Sequence, residues 1–203
     1  FIPLNFDVSD LPATKTALQT LPTDLRNHID VLVNNAGLAL GLESADKTDF
    51  ADWQQMVNTN ILGLIHLTHE ILPLMVANND GYIINLSSTA GNYPYFGGNV
   101  YGATKAFVTQ FSLNLRADLV GKNIRVSNIE PGLCGGTEFS NIRFHGDDAK
   151  AAQVYDSVQY VTPQDIANMV AWLIEQPKHV NINRIEVMPT AQTFAGLKVV
   201  KDL

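Results

Sequence analysis

The chain is poor in cysteine, in basic charge and in unbroken apolar runs, and each shortage excludes something. Cys134 is the single cysteine among 203 residues. A lone thiol cannot form an internal disulfide and suits a reducing compartment, so the cytoplasm is the expected location. Lys and Arg number 13 against 20 Asp and Glu, for a net charge of −7. The basic residues are scattered, and a nucleic-acid backbone needs clustered cations, so no nucleic-acid partner is expected. The longest apolar stretches, such as residues 61–67, are interrupted by Gly63 and His66. They fall well short of the roughly 20 residues that cross a bilayer, so no membrane span is expected either. The opening Phe1-Ile2-Pro3-Leu4-Asn5-Phe6-Asp7 lacks the basic and then apolar layout of a signal peptide and reads as the tail of an extended segment. The chain is therefore expected to start partway into a domain. What is present, 46% apolar and 16% charged residues, suits one globular domain over residues 1–203.

Short β-branched runs alternate with long helical patterns, as stacked βαβ units around a parallel sheet require. The strand candidates are residues 29–33, 81–86, 124–129 and 184–188, each closed by polar, Gly or Pro residues. Helices are expected near residues 10–20, 47–77, 98–120 and 163–176, the second divided into two. The last has the clearest start. Thr162 can cap it, Pro163 suits the first helical position, and Asp165 completes a Thr-x-x-Asp box ahead of Ile166, Met169, Val170 and Leu173. The fold class is α/β, a Rossmann-like doubly wound parallel sheet with helices on both faces.

In such sheets ligands bind beyond the carboxyl ends of the strands. The residues there are Asn34-Asn35-Ala36-Gly37, Ser87-Ser88 and Pro131-Gly132, which could equally be ordinary turns. Tyr101-Gly102-Ala103-Thr104-Lys105 puts a phenol and an ammonium four residues apart, on one helix face. The pair alone is weak, because a surface helix offers the same spacing. Ser88 strengthens it, since a strand end can face the same crevice as the helix. A cation beside a phenol favours the phenolate, so Lys105 is expected to lower the Tyr101 pKa and make it a usable acid/base at neutral pH. The Ser88 hydroxyl can hold the substrate oxygen where Tyr101 exchanges its proton.

These residues and their order resemble the short-chain dehydrogenase/reductase family. The resemblance runs from Asp7-Val8 through Asn34 to Gly37, Asn60-Ile61-Leu62-Gly63, Ser88, Tyr101-x-x-x-Lys105 and Pro131-Gly132. Longer strings, residues 35–41, 95–107 and 135–141, are similar to bacterial NADP-dependent 3-hydroxy acid dehydrogenases that act on serine and allo-threonine. The resemblance implies that Tyr101 is the catalytic acid/base, Ser88 the substrate-orienting hydroxyl, and Lys105 a ligand of the nicotinamide ribose. It implies that Asn60 is a fourth catalytic member, which helps hold a water linking the Lys to solvent. It assigns NADP, with NAD open, to Asp7 and Val8 at the adenine, and Asn34, Asn35, Ala36 and Gly37 at the adjoining ribose and backbone. Pro131, Gly132, Leu133, Thr137, Glu138 and Phe139 would meet the nicotinamide and pyrophosphate. A homodimer or homotetramer is also implied, and the apolar residues on several sides of the helix at 98–120, such as Phe107, Val108, Phe111, Leu113 and Leu115, fit it.

Two features depart from the pattern. The family's Gly-rich phosphate turn and the strand that selects NAD or NADP are absent, which places roughly 45–50 residues ahead of Phe1 by the family layout. Thr137 comes six residues after Pro131, where five is usual, so an extra Gly at 135 or 136 is expected to bulge the loop. Other readings are a carbonyl reductase for another substrate and a non-catalytic assembly or regulatory relative. His66 and His69 have no third ligand and are read as structural rather than metal-binding. Cys134 is read as a small filler, and residues 145–148 as a lid or a solvated turn.

Overall fold

The structure, a computed structural model, describes residues 1–194. In chain order the main elements are α1 (Leu11–Thr20), α2 (Thr23–Asn27), β1 (Val31–Asn34), α3 (Phe50–Val57), α4 (Leu64–Asn78), β2 (Gly81–Leu86), α5 (Asn99–Asp118), β3 (Ile124–Pro131), α6 (Phe139–Arg143), α7 (Asp148–Gln153), α8 (Pro163–Glu175) and β4 (Arg184–Val187). The strands form one parallel sheet in the order β1-β2-β3-β4.

Alternation along β2 sends its side chains to two cores. Tyr82, Ile84 and Leu86 join Ile129 and the fully buried Leu173 of α8 on one face. Ile83 joins Val126, Ile71 and Met75 of α4, and Leu115 and Leu119 on the α5 side, on the other. Both faces are thus covered, as the sequence pattern predicts. Burying one side chain such as Leu173 contributes about 2 kcal/mol.

The four expected strands and long helices all form, within a few residues of the predicted ends. At α8 the Thr162–Asp165 box closes in both directions: the Asp165 amide donates to Thr162 Oγ1 at 3.2 Å and the Thr162 amide to Asp165 Oδ2 at 2.8 Å. The short helices α2, α6 and α7 went unpredicted, because five or six residues do not complete a readable helical period. The division expected in residues 47–77 is a π-helical turn, Asn58–Gly63, rather than a break. It joins α3 and α4 into a run of 29 residues, Phe50–Asn78, long and apolar enough to cross a membrane. The interrupted apolar pattern had not suggested such a length. Here Leu64, Thr68, Ile71 and Met75 of that run are buried within the fold.

Residues 145–148 make the turn between α6 and α7. His145 and Gly146 take positive φ values of 52° and 86°. His145 Nε2 lies 3.2 Å from Asp52 Oδ2 on α3, and the Asp147 side chain caps α7. Among the described residues no cluster of metal-ligating side chains forms, and His66 instead faces Glu70 at 3.7 Å.

Candidate active site

The ends of β2 and β3 and the first half of α5 meet around a cavity of about 600 Å³. Close backbone approach brings them together. A β-carbon on Gly91 would lie 2.7 Å from the Ala106 amide nitrogen, and one on Gly102 would lie 2.9 Å from the Ala90 carbonyl oxygen. Only glycine lets the turn after Ser88 press against α5 at both points. Ser87 adds a tie, donating from Oγ to the Lys105 carbonyl at 2.6 Å.

Ser88, Tyr101 and Lys105 all line this cavity, with Asn35, Gly37, Pro131, Gly132, Leu133, Thr137 and Phe139. The Ser88 hydroxyl donates to the Pro131 carbonyl at 3.2 Å and accepts from the Ala90 amide at 3.1 Å, which fixes its direction. Tyr101 is 7% exposed and packs edge-on against Phe139 at 5.9 Å. Lys105 is 5% exposed, its Nζ donating to the Leu86 carbonyl at 2.9 Å and lying 5.9 Å from the Tyr101 ring centre.

The electrostatics correct one expectation. Burial pushes the Tyr101 phenol up to about 12, opposed by hydrogen bonding from Ser88 and the nearby charge of Arg143. Lys105 is not what lowers it. Its ammonium sits beside the ring and is bound to a carbonyl, and burial pulls its own pKa down to about 8. Removal from water disfavours whichever form is charged, so the two groups move in opposite directions.

The other predicted residues divide into those at the cavity and those behind it. Asn60, on the π-helical turn, is 1% exposed and does not line the cavity. Its Oδ1 accepts from the Leu38 amide at 2.9 Å, and its Nδ2 donates to the Leu38 carbonyl at 2.8 Å and Thr104 Oγ1 at 3.0 Å. It therefore ties the turn after β1 to α5. Asn34 is also buried, donating to Thr68 and Asn85. Ala36 and Glu138 are exposed and stand outside the lining. Asp7 accepts from Ser9, and Val8 packs so closely on Gly63 that a β-carbon there would meet its carbonyl oxygen at 2.9 Å. In the loop where an extra Gly is expected, Gly136 takes a φ of 77°. Cys134 sits in a backbone bridge to Val161, and burial raises its thiol pKa, in keeping with a filler.

The cavity fits the nicotinamide and ribose part of a dinucleotide. A β-carbon on Gly37 would fall 3.2 Å from Lys105 Nζ, so the bare glycine keeps open the space beside that cation. Tyr101, Lys105, Asn35, Gly37 and the Pro131 to Leu133 turn are the groups positioned to hold it.

Two features escaped sequence reasoning. Glu130 is fully buried, immediately before Pro131, and accepts two bonds from Arg184, with Nε at 2.8 Å and Nη2 at 2.7 Å. Asn128, Thr109 and Asn92 also donate to it. Arg143, at the end of α6, reaches the cavity beside Tyr101. A Glu next to the Pro-Gly pair was a local signal for the first; the second depends on how α6 folds back and left none.

Comparison with known proteins agrees with this geometry. The short chain dehydrogenase family matches residues 1–147. A probable NADP-dependent dehydrogenase of Haemophilus influenzae is 68% identical over 202 residues, covering 100% of this chain and 80% of that protein. The NADP-dependent 3-hydroxy acid dehydrogenase YdfG of Salmonella typhi is 58% identical over 193 residues, 95% of this chain and 77% of the relative. The closed form of a serine dehydrogenase complexed with NADP+ superposes with a TM-score of 0.94 at 55% identity, covering 97% of this chain and 79% of that one. Similarity of this extent, running through the serine, tyrosine and lysine that share the cavity, makes the chain a member of the short chain dehydrogenase family.

Proposed function

We propose that the protein is an NADP-dependent oxidoreductase acting on the hydroxyl-bearing carbon of small 3-hydroxy acids or β-hydroxy amino acids such as serine and allo-threonine. The observation that carries this is the convergence of Ser88, Tyr101 and Lys105 on the lining of one cavity. The similar 3-hydroxy acid and serine dehydrogenases support the substrate class.

When bound, NADP supplies the acceptor or donor of the hydride. The chain's own residues handle the oxygen and its proton. Ser88 is held at the cavity by Pro131 and Ala90, and on substrate binding its hydroxyl hydrogen would turn from the Pro131 carbonyl to hold the substrate oxygen against Tyr101. At neutral pH the phenol keeps its proton, since burial sets its pKa near 12, so it is poised to donate to a carbonyl oxygen during reduction. In oxidation the phenol must first give up its proton to solvent, and the phenolate so formed, whose fraction grows as pH rises, receives the alcohol proton. Lys105 is largely cationic at neutral pH and would offer its charge to the nicotinamide ribose of a bound cofactor.

Purified protein mixed with NADP and L-serine, allo-threonine or a short 3-hydroxy acid should accumulate reduced-cofactor absorbance. Tyr101→Phe should lower that rate by about 10³-fold. No turnover of any such substrate, or full activity in the Phe variant, would contradict the assignment.

A homo-oligomer in the cytoplasm completes the reading. Phe107 and Phe111 stack at 5.7 Å on a half-buried face of α5, and Leu62 is 39% exposed on the adjoining helical run, surfaces that suit a second copy. Sedimentation at low salt should give a dimer or tetramer mass, and a monomer would refute it.

A further inference from the structure

The cavity carries charge of one sign. Among the described residues that line it, the ionic side chains are Lys105 and Arg143, with no Asp or Glu. In a chain of net charge −7 this is a local reversal. Lys105 is accounted for, buried beside Tyr101 and bonded to Leu86. Arg143 is not.

Its guanidinium is held in place before any ligand arrives. Nε donates to the Gly41 carbonyl at 3.1 Å, and Nη2 donates to the Tyr95 hydroxyl at 2.9 Å. The Gly41 amide returns a bond to the Arg143 carbonyl at 2.9 Å, locking the end of α6 onto the turn after β1. The guanidinium carbon lies 5.6 Å from the Tyr101 ring centre and 5.7 Å from that of Tyr95. Among the described residues no carboxylate pairs with it. Nη1 and the second Nη2 hydrogen are left for a ligand. A half-buried guanidinium without a counter-ion, fixed by neutral partners, is prepared for a planar anion that can take two parallel bonds.

We infer that Arg143 anchors the substrate carboxylate, while Tyr101 and Ser88 hold the hydroxyl that reacts. This rests on the hydroxy-acid reading above and names the group that would enforce it. In a 3-hydroxy acid one carbon separates the hydroxyl-bearing carbon from the carboxylate, so the acid group must bind close to the reacting phenol, where Arg143 lies. Tyr95 and Gly41 act as positioning residues for the guanidinium.

The test compares kcat/KM for a short 3-hydroxy acid and for its methyl ester, in the native enzyme, Arg143→Met and Arg143→Lys. Both substrates use Tyr101, so the ratio cancels any effect of Arg143 on the phenol's acidity. The native enzyme should prefer the acid, and Arg143→Met should lower the acid-to-ester ratio by at least about 30-fold. Arg143→Lys, with charge but no fork, should fall between. Tyr95→Phe should raise KM for the acid more than it changes kcat. If Arg143→Met does not fold, the lysine variant decides, and an unchanged ratio there overturns the assignment. Native turnover of the acid with an unchanged ratio in Arg143→Met refutes the role of Arg143 alone. A native enzyme inactive on all hydroxy acids refutes the substrate class and this anchor together.

Discussion

Two buried polar clusters lean on the same helix, α5, and they treat charge in opposite ways. Glu130 is fully buried, yet it is met by Arg184 through two nitrogens and by Asn128, Thr109 and Asn92. One helical turn before Thr109, Lys105 is almost as buried but has the Leu86 carbonyl rather than an anion as its partner, and Tyr101 stands equally far from water. The first cluster is compensated and holds the backbone, for Glu130 leads into Pro131 and Asn92 follows the Ser88 turn. The second is left uncompensated, and its pKa values are displaced, to about 12 for the phenol and about 8 for the ammonium. Displaced values mark where protons can be moved; satisfied charges mark where the frame is fixed.

The sharpest way to break this comparison is to remove one partner from the compensated cluster. Arg184→Met leaves the Glu130 carboxylate buried without its cation and should destabilise the fold by about 3–5 kcal/mol in denaturant titration. Adding Glu130→Gln to it should restore part of that loss, since the two changes share one interaction. Next in size, Ser88→Ala should reduce turnover by about 10²-fold and, by taking the acceptor from the Ala90 amide, cost about 1 kcal/mol in denaturant titration. The smallest effect belongs to an exposed pair that neither cluster involves. Thr162→Ala removes the cap of α8 and should cost about 1 kcal/mol with kcat unchanged.

Much of this arrangement was legible in the residues. The alternating β-branched runs announced a parallel sheet, and the Thr162 box marked the start of α8 to the residue. Tyr101 and Lys105 shared a helix face by spacing alone, and Ser88 followed a strand. What stayed hidden depends on distance in space. The sign of the Tyr101 shift could not be read from a four-residue spacing, because it is set by burial, which only the packed structure creates. Asn34 and Asn60 lie in the expected stretches, but the packed structure uses their side chains behind the cavity. Arg143 and Arg184 reach their places across 102 and 54 residues of chain.

The central claim is that Lys105 is kept charged at a cost to the fold, for the sake of the site. The stability of Lys105→Met against the native protein, followed with pH, tests it most directly. Burial lowers the folded pKa to about 8 from the ordinary 10.5 of a lysine in water. Between those values the unfolded chain keeps a proton that the folded one gives up, so the penalty is full below pH 8 and fades as pH rises to 10.5. Allowing for the lost bond to Leu86, the Met variant should be more stable by about 2 kcal/mol at pH 7, nearly inactive, and should lose that advantage by the upper end of the window. A Met variant less stable than the native protein at pH 7, or a difference that does not change with pH, would contradict the account.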